Sequence, residues 1–290
     1  MSGPAIDLET LRARVRRLER GGRPVRPTRP LGVPAVDAAL PDGGDGDGGD
    51  GDGGDGDGGD GGGGLALGCL HHVADGAPLE RAAGGGAGGA ALAFAALMAA
   101  RLATTDPART SGMARPRPVV WCLRAGSPDD SLYGPGLAAL GLTPARLIVV
   151  RAPEAADVAW AMEEALRCPD VGAVVGQIPG RLDPAAGRRL TLAAEAGGGG
   201  AVLLRPAREP AESVPGAVTR WRVTPAPAVP TPWGEPGRAR WSVALEHCRN
   251  GLPRHWTLEW THDTGDLDLA ADLRDRPSDA DSECLLCRTG

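Results

Sequence analysis

Between residues 65 and 205 short apolar runs alternate with longer segments of helical period. Leu65–Val73, Val119–Leu123, Arg146–Val150, Val171–Ile178 and Ala201–Leu204 are predicted strands. Ala90–Leu102, Leu132–Leu140, Ala155–Cys168 and Pro184–Ala196 are predicted helices between them. In Ala155–Cys168 an apolar face of Val158, Met162, Ala165 and Leu166 opposes Glu163, Glu164 and Arg167, which read as solvated. Continuous apolar strands separated by helices predict a buried parallel sheet with helices on both faces. After residue 217 the period falls to two. VTRWRVTPA, RARWSVALEHC and HWTLEWTH alternate apolar and polar positions, with Asn250-Gly251 in a turn, and predict an antiparallel finish to the same sheet. The fold class is therefore α/β.

Upstream the texture differs. Leu8, Leu11, Val15 and Leu18 form one stripe on a predicted amphipathic helix within residues 1–22, with arginines over the rest. A helix this short needs something to pack on, either its own domain or a partner or nucleic acid, and Leu11, Val15 and Leu18 are the candidate partner contacts. Residues 23–64 read as a linker. Their second half, residues 42–64, holds 8 Asp and 15 Gly and nothing apolar, so it buries too little surface to offset chain entropy and is expected to be disordered. A calcium-binding β-roll would need an apolar residue in each turn, and the tract has none. Those 8 aspartates exceed the whole formal charge of −6, so the acidity belongs to the tract and not to the remainder. Residues 65–270 are assigned to the folded domain and 271–290 to a polar tail.

All 31 basic residues are arginine, which excludes a lysine at a phosphate loop, a Schiff base or a lysine general base. No apolar run is long enough to span a bilayer and no secretory pattern is read at the N-terminus, so a cytoplasmic protein without membrane contact is expected. The six scattered cysteines fit a reduced compartment, and Cys284-Leu285-Leu286-Cys287 lacks a second pair to complete a zinc site. No metal, cofactor or catalytic constellation is assigned. His71-His72 close a buried strand and read as structural. Of seven tryptophans, Trp221, Trp233, Trp241, Trp256 and Trp260 lie in the last third, as core or, beside arginines, as stacking surfaces.

One place has the layout of a phosphate cradle: a glycine-rich stretch, Gly84–Gly89, between the first strand and the first helix. Its chemistry is missing. Phosphoryl transfer in such a loop needs a cation on the phosphates, a hydroxyl on Mg²⁺ and a carboxylate at the end of a neighbouring strand. Ala90 and Ala91 stand where lysine and serine or threonine are needed, and the strand over Val171–Val175 runs into Gly176-Gln177. A dinucleotide reading is opposed by the loop's length and by the absence of an acidic residue after Leu123-Arg124.

Several blocks then occur in a familiar order. They are Leu11-Arg12-Ala13-Arg14-Val15, Leu31-Gly32-Val33-Pro34-Ala35-Val36-Asp37, Val119-Val120-Trp121-Cys122-Leu123-Arg124, Asp130-Ser131-Leu132-Tyr133-Gly134-Pro135-Gly136-Leu137, Leu140-Gly141-Leu142-Thr143-Pro144-Ala145-Arg146, Trp160-Ala161-Met162-Glu163-Glu164-Ala165-Leu166 and Thr219-Arg220-Trp221-Arg222-Val223. In order and spacing they resemble the RecA core, and more closely the ImuA family, RecA-like accessory proteins of bacterial DNA-damage mutagenesis cassettes. The resemblance implies a RecA-like, mostly parallel central sheet with flanking helices and an antiparallel C-terminal extension. It implies a non-catalytic role in SOS-induced translesion synthesis beside an ImuB-type polymerase-like adaptor and an error-prone replicative-type polymerase, with RecA and single-stranded DNA as further partners. It would place a catalytic glutamate near Gly126 and a Mg²⁺ aspartate near Gly176, neither of which is present. DNA-facing loops would fall near residues 180–189 and 205–220, where Arg181, Arg188, Arg189, Arg205 and Arg208 could meet phosphates. The rival readings are a RecA-like ATPase or recombinase with unconventional ligands, and an SOS cell-division inhibitor resembling SulA.

Overall fold

The computed structural model describes residues 26–41, 63–76, 88–104, 116–127, 131–205, 214–231, 233–235, 237–249, 251–262 and 264–270. The predicted N-terminal helix with Leu11, Val15 and Leu18, nearly all of the Asp/Gly tract, residues 84–87 of the glycine-rich stretch, Arg208 and the tail over 271–290 lie outside them.

Among the described residues nine strands form one sheet, in the spatial order β5-β4-β6-β7-β3-β8-β9-β10-β11. They are β3 (Leu70–Asp75), β4 (Val119–Arg124), β5 (Leu147–Ala152), β6 (Ala173–Gln177), β7 (Gly200–Arg205), β8 (Ala217–Ala226), β9 (Arg240–Cys248), β10 (Arg254–Thr261) and β11 (Asp266–Leu269). The first six in spatial order pair in parallel and the rest antiparallel. The α/β class with an antiparallel finish is thus observed, with one correction: β8 alternates polar and apolar residues yet lies parallel to β3, and the sheet turns antiparallel only between β8 and β9. A period of two reports one covered and one open face, and β8 has both whatever its partner's direction.

Four of the five α-helices among the described residues join the parallel strands. α2 (Gly89–Leu102) and α3 (Gly134–Ala139) lie on one face of the sheet; α4 (Ala155–Arg167) and α5 (Pro184–Gly197) lie on the other. α2 is apolar almost all round because it is covered almost all round. Its sheet side packs on Val73, Trp121, Val175 and Val202, and its outer side is roofed by residues 31–40. Alanine, the strongest helix former, supplies half of its residues at little volume.

That roof corrects the linker reading of residues 26–41. The segment contributes β1 (Thr28–Arg29), paired antiparallel with β2 (Leu65–Ala66), and the one-turn α1 (Pro34–Asp37). Leu31, Val33, Val36 and Leu40 are at most 4% exposed. The buried Asp37 holds the turn by accepting from Leu31 N (2.6 Å) and Gly32 N (3.0 Å), while Arg101 on α2 donates to the Leu31 carbonyl. The predicted strand over 65–73 is two strands broken at Gly68, whose φ of +62° turns the chain from β2 into β3.

Candidate functional site

In an open α/β sheet ligands meet the carboxyl ends of the parallel strands where the direction of winding reverses. Here the chain winds from β3 through β4 to β5 under one face, then returns through β6 and β7 under the other. β3 ends at Asp75, β4 at Arg124, β6 at Gln177 and β7 at Arg205, and these four residues define the edge.

Asp75 is the residue that sequence reasoning missed. It is 2% exposed, and its Oδ2 accepts from the backbone N–H of Gly88, the cap of α2, at 2.8 Å. A β-carbon added to Gly88 would lie 2.7 Å from that oxygen, so only glycine lets the carboxylate seat so closely. The amino end of a helix carries a partial positive charge and free N–H donors, and in a phosphate cradle the anion sits there. In this chain an internal carboxylate uses that position, and an arriving phosphate would meet negative charge. Strand, glycine and helix are present in the order expected, with the polarity at the helix end already satisfied.

The β6 end, where the RecA resemblance would imply a magnesium ligand, holds a glycine and an amide. Gly176 points toward the α4 face, where an added β-carbon would lie 1.9 Å from Met162 Sδ, so the missing side chain is the seat for a methionine. Its neighbour Gln177 takes the α2 side. Gln177 is 7% exposed, and neither its Oε1 nor its Nε2 finds a hydrogen-bond partner. An amide stands where a metal site would need a carboxylate. Gly126 occupies a left-handed turn after β4 at φ +68°. Among the described residues no three His, Cys, Asp or Glu converge on a point that could hold a metal ion.

The arginines singled out for DNA fall in two places. Arg181, in the connection after β6, and Arg205, at the end of β7, lie beside Gly180, whose carbonyl accepts from Arg205. Arg188 and Arg189 are exposed on the first half of α5. Arg189 Nε donates to Glu163 Oε2 of α4 at 3.1 Å, and Arg167 holds the other oxygen at 2.5 Å. Glu163, read as solvated, is 7% exposed and clamps α4 to α5; Glu164 keeps the solvated role. A helical wheel shows which side of α4 faces the sheet, but not that a second helix lies along its flank.

The tryptophans beside arginines divide toward the core. Trp221 is fully buried 5.4 Å from Phe94 and donates to Thr219 Oγ1 at 2.8 Å, and Trp241 stacks on Trp260 at 6.3 Å. Trp160 and Trp233 are exposed. His71 is structural as expected, held by Thr219 Oγ1 (2.8 Å) and the Ala66 carbonyl (2.9 Å), with its pKa lowered by burial to about 4. Burial pushes the Cys122 thiol up to about 12, in keeping with its use as a small apolar side chain. No helix among the described residues is long and apolar enough to cross a membrane.

No protein-family model matches the chain. It is 36% identical over 254 residues to Protein ImuA from two strains of Caulobacter vibrioides, an alignment covering 83% of this chain and 87% of each relative. Among solved structures, SulA from Pseudomonas aeruginosa overlays with a TM-score of 0.34 at 20% identity, over 48% of this chain and 98% of that one. An overlay that loose bears on neither fold nor function.

Proposed function

Because the chain belongs to the ImuA family, as 36% identity across 83% of its length shows, we propose that it is a RecA-like accessory protein of SOS-induced, error-prone translesion synthesis that performs no catalysis itself. It would act with an ImuB-type adaptor and an error-prone replicative-type polymerase. The single observation that carries the non-catalytic reading is the carboxyl edge of the sheet: the helix end that would grip phosphate is met by Asp75, and the strand end that would hold magnesium carries the neutral Gln177. Added to a sequence without lysine, these groups support a scaffold whose shape is kept for protein contacts. Arg181, Arg188, Arg205 and Arg208 would be the surface offered to single-stranded DNA, with Arg189 largely committed to Glu163.

Two measurements test the reading. The purified full chain, incubated with ATP with and without single-stranded DNA, is expected to release no phosphate above background; turnover at a rate typical of a recombinase motor would defeat the non-catalytic role. Co-expression with an ImuB-type adaptor is expected to yield a complex through purification, and failure of the two to associate would defeat the accessory role.

A further inference from the structure

The face of the sheet shared with α4 and α5 carries a second polar constellation, away from the amino end of α2. Residues in register on neighbouring parallel strands point to the same side. Across β7, β3 and β8 one such row reads Leu203, His72, Arg220, and the row nearer the carboxyl edge reads Arg205, Ala74, Arg222. Two arginines therefore flank a methyl group, with Cα atoms about 10 Å apart across two strand spacings. The next residue on this side, just past the end of β3, is Gly76, over which the Arg222 stem lies: an added β-carbon would be 2.7 Å from Arg222 Cγ. His72, Arg205, Arg220 and Arg222 thus share this face of the sheet, with only Ala74 and Gly76 between the arginines.

Two of these arginines share a single acid. Glu246 on β9 accepts from Arg222 and lies 3.0 Å from Arg220 Nε, yet that Nε is buried without a hydrogen-bond partner. On the other side of β3 Arg205 donates to the Gly180 carbonyl. His72 is 4% exposed and neither ring nitrogen has a partner. Burial and then the charges of Arg205, Arg220 and Arg222 lower its pKa to about 3, so at neutral pH the ring is uncharged, with one N–H to donate and one nitrogen to accept. A buried polar ring without partners, beneath two guanidinium groups that divide one carboxylate, has the donors that a tetrahedral oxyanion satisfies. Arginine forks match phosphate oxygens, and the imidazole N–H adds one more bond.

We propose that His72, Arg205, Arg220 and Arg222 form a binding site for a phosphate group. The site goes beyond the lesion-bypass reading and does not rest on it. Two sources supply the same chemistry: a free phosphate compound and the backbone of a single DNA strand.

The test uses the full-length protein with isotope-labelled histidine, whose five imidazoles are few enough to resolve. Titration with inorganic phosphate is expected to move the His72 ring resonances saturably while those of His71, held by Thr219 and Ala66, stay in place. Arg205→Gln, Arg220→Gln and Arg222→Gln should each weaken the effect about tenfold, the loss of one charge-assisted contact. An unlabelled single-stranded oligonucleotide added next separates the sources. Displacement of phosphate identifies a strand backbone, and indifference to the oligonucleotide identifies a free phosphate compound; both uphold the site. A His72 signal that stays still with phosphate and with DNA, or that moves equally with chloride at matched ionic strength, overturns it. That result is read on the unmutated chain, so no folding defect can mimic it, and it leaves adaptor binding and ATP turnover untouched.

Discussion

The carboxylate of Asp75 and the backbone N–H of Gly88 meet at 2.8 Å across the connection between β3 and α2. This contact ties the central strand to the amino end of the most buried helix by means of the protein's own anion. Asp75→Ala leaves a buried donor unmatched and should lower unfolding free energy by about 1–3 kcal/mol. Asp75→Asn keeps an acceptor and loses only charge at the helix end, so about 0.3–1 kcal/mol is expected. Urea denaturation of the two variants measures the difference. Equal losses would mean that charge, not hydrogen bonding, is what the helix end requires.

Stability should fall as pH drops from about 6.5 toward about 4 because of His71 and His72. Their folded pKa values, about 4 and about 3, lie below the ordinary 6.5. As pH drops below 6.5 the unfolded chain takes up protons that the folded chain refuses, so stability present above that pH is progressively lost. Each histidine contributes a slope that approaches about 1.4 kcal/mol per pH unit below about pH 5.5 and persists until its folded pKa is reached. Denaturation midpoints at several pH values would report it, and His71→Asn should roughly halve the slope whatever it does to stability at neutral pH. A flat profile in the unmutated protein would contradict the burial of both rings.

Glu163 binds Arg189 on α5 and Arg167 on its own helix while nearly excluded from solvent. Removing it leaves cationic groups packed at a helix–helix contact, so Glu163→Ala should cost more than Arg189→Ala. The arginine side chain is 55% exposed and its pairing is discounted accordingly, to under about 1 kcal/mol. A double-mutant cycle in thermal unfolding separates the pair from the rest. Arg189→Ala should also leave affinity for single-stranded DNA nearly unchanged, whereas Arg188→Ala should lower it and flatten its salt dependence.

Introducing a carboxylate at position 176 should fail structurally. Gly176→Ala already forces Met162 aside and should cost about 1–3 kcal/mol. Gly176→Asp adds a carboxylate to the apolar layer under α4 and should abolish cooperative unfolding. Gln177→Glu places the carboxylate at the edge and should be the milder change. Circular dichroism melts of the three variants give the order.

The repeating strand and helix pattern was legible because burial on two faces leaves unbroken apolar runs. Helix α4 was expected over Ala155–Cys168 and spans Ala155–Arg167; strand β6 is Ala173–Gln177 within an expected Val171–Ile178. What escaped has physical causes. In residues 26–41 glycine, proline and arginine outnumber the four apolar side chains that reach the core, so composition concealed a packed segment. The parallel seating of β8 was hidden because alternation encodes which face is covered and not which way a neighbour runs. At the candidate site the missing lysine and carboxylate could be read from the sequence. The groups now standing there could not, since Asp75 gains its meaning from Gly88, 13 residues away, and His72 from arginines on β7 and β8.

The core around α2 joins Leu31 and Leu40 early in the chain to Leu245, Leu258 and Leu267 late in it. During synthesis the earliest of these residues leave the ribosome long before their companions exist. The roof over α2 must wait, uncovered, for the final hairpins, and such distant closures are slow. Any polypeptide interrupted before β9 would carry a greasy, unfinished flank, open to aggregation and proteolysis until the later strands arrive.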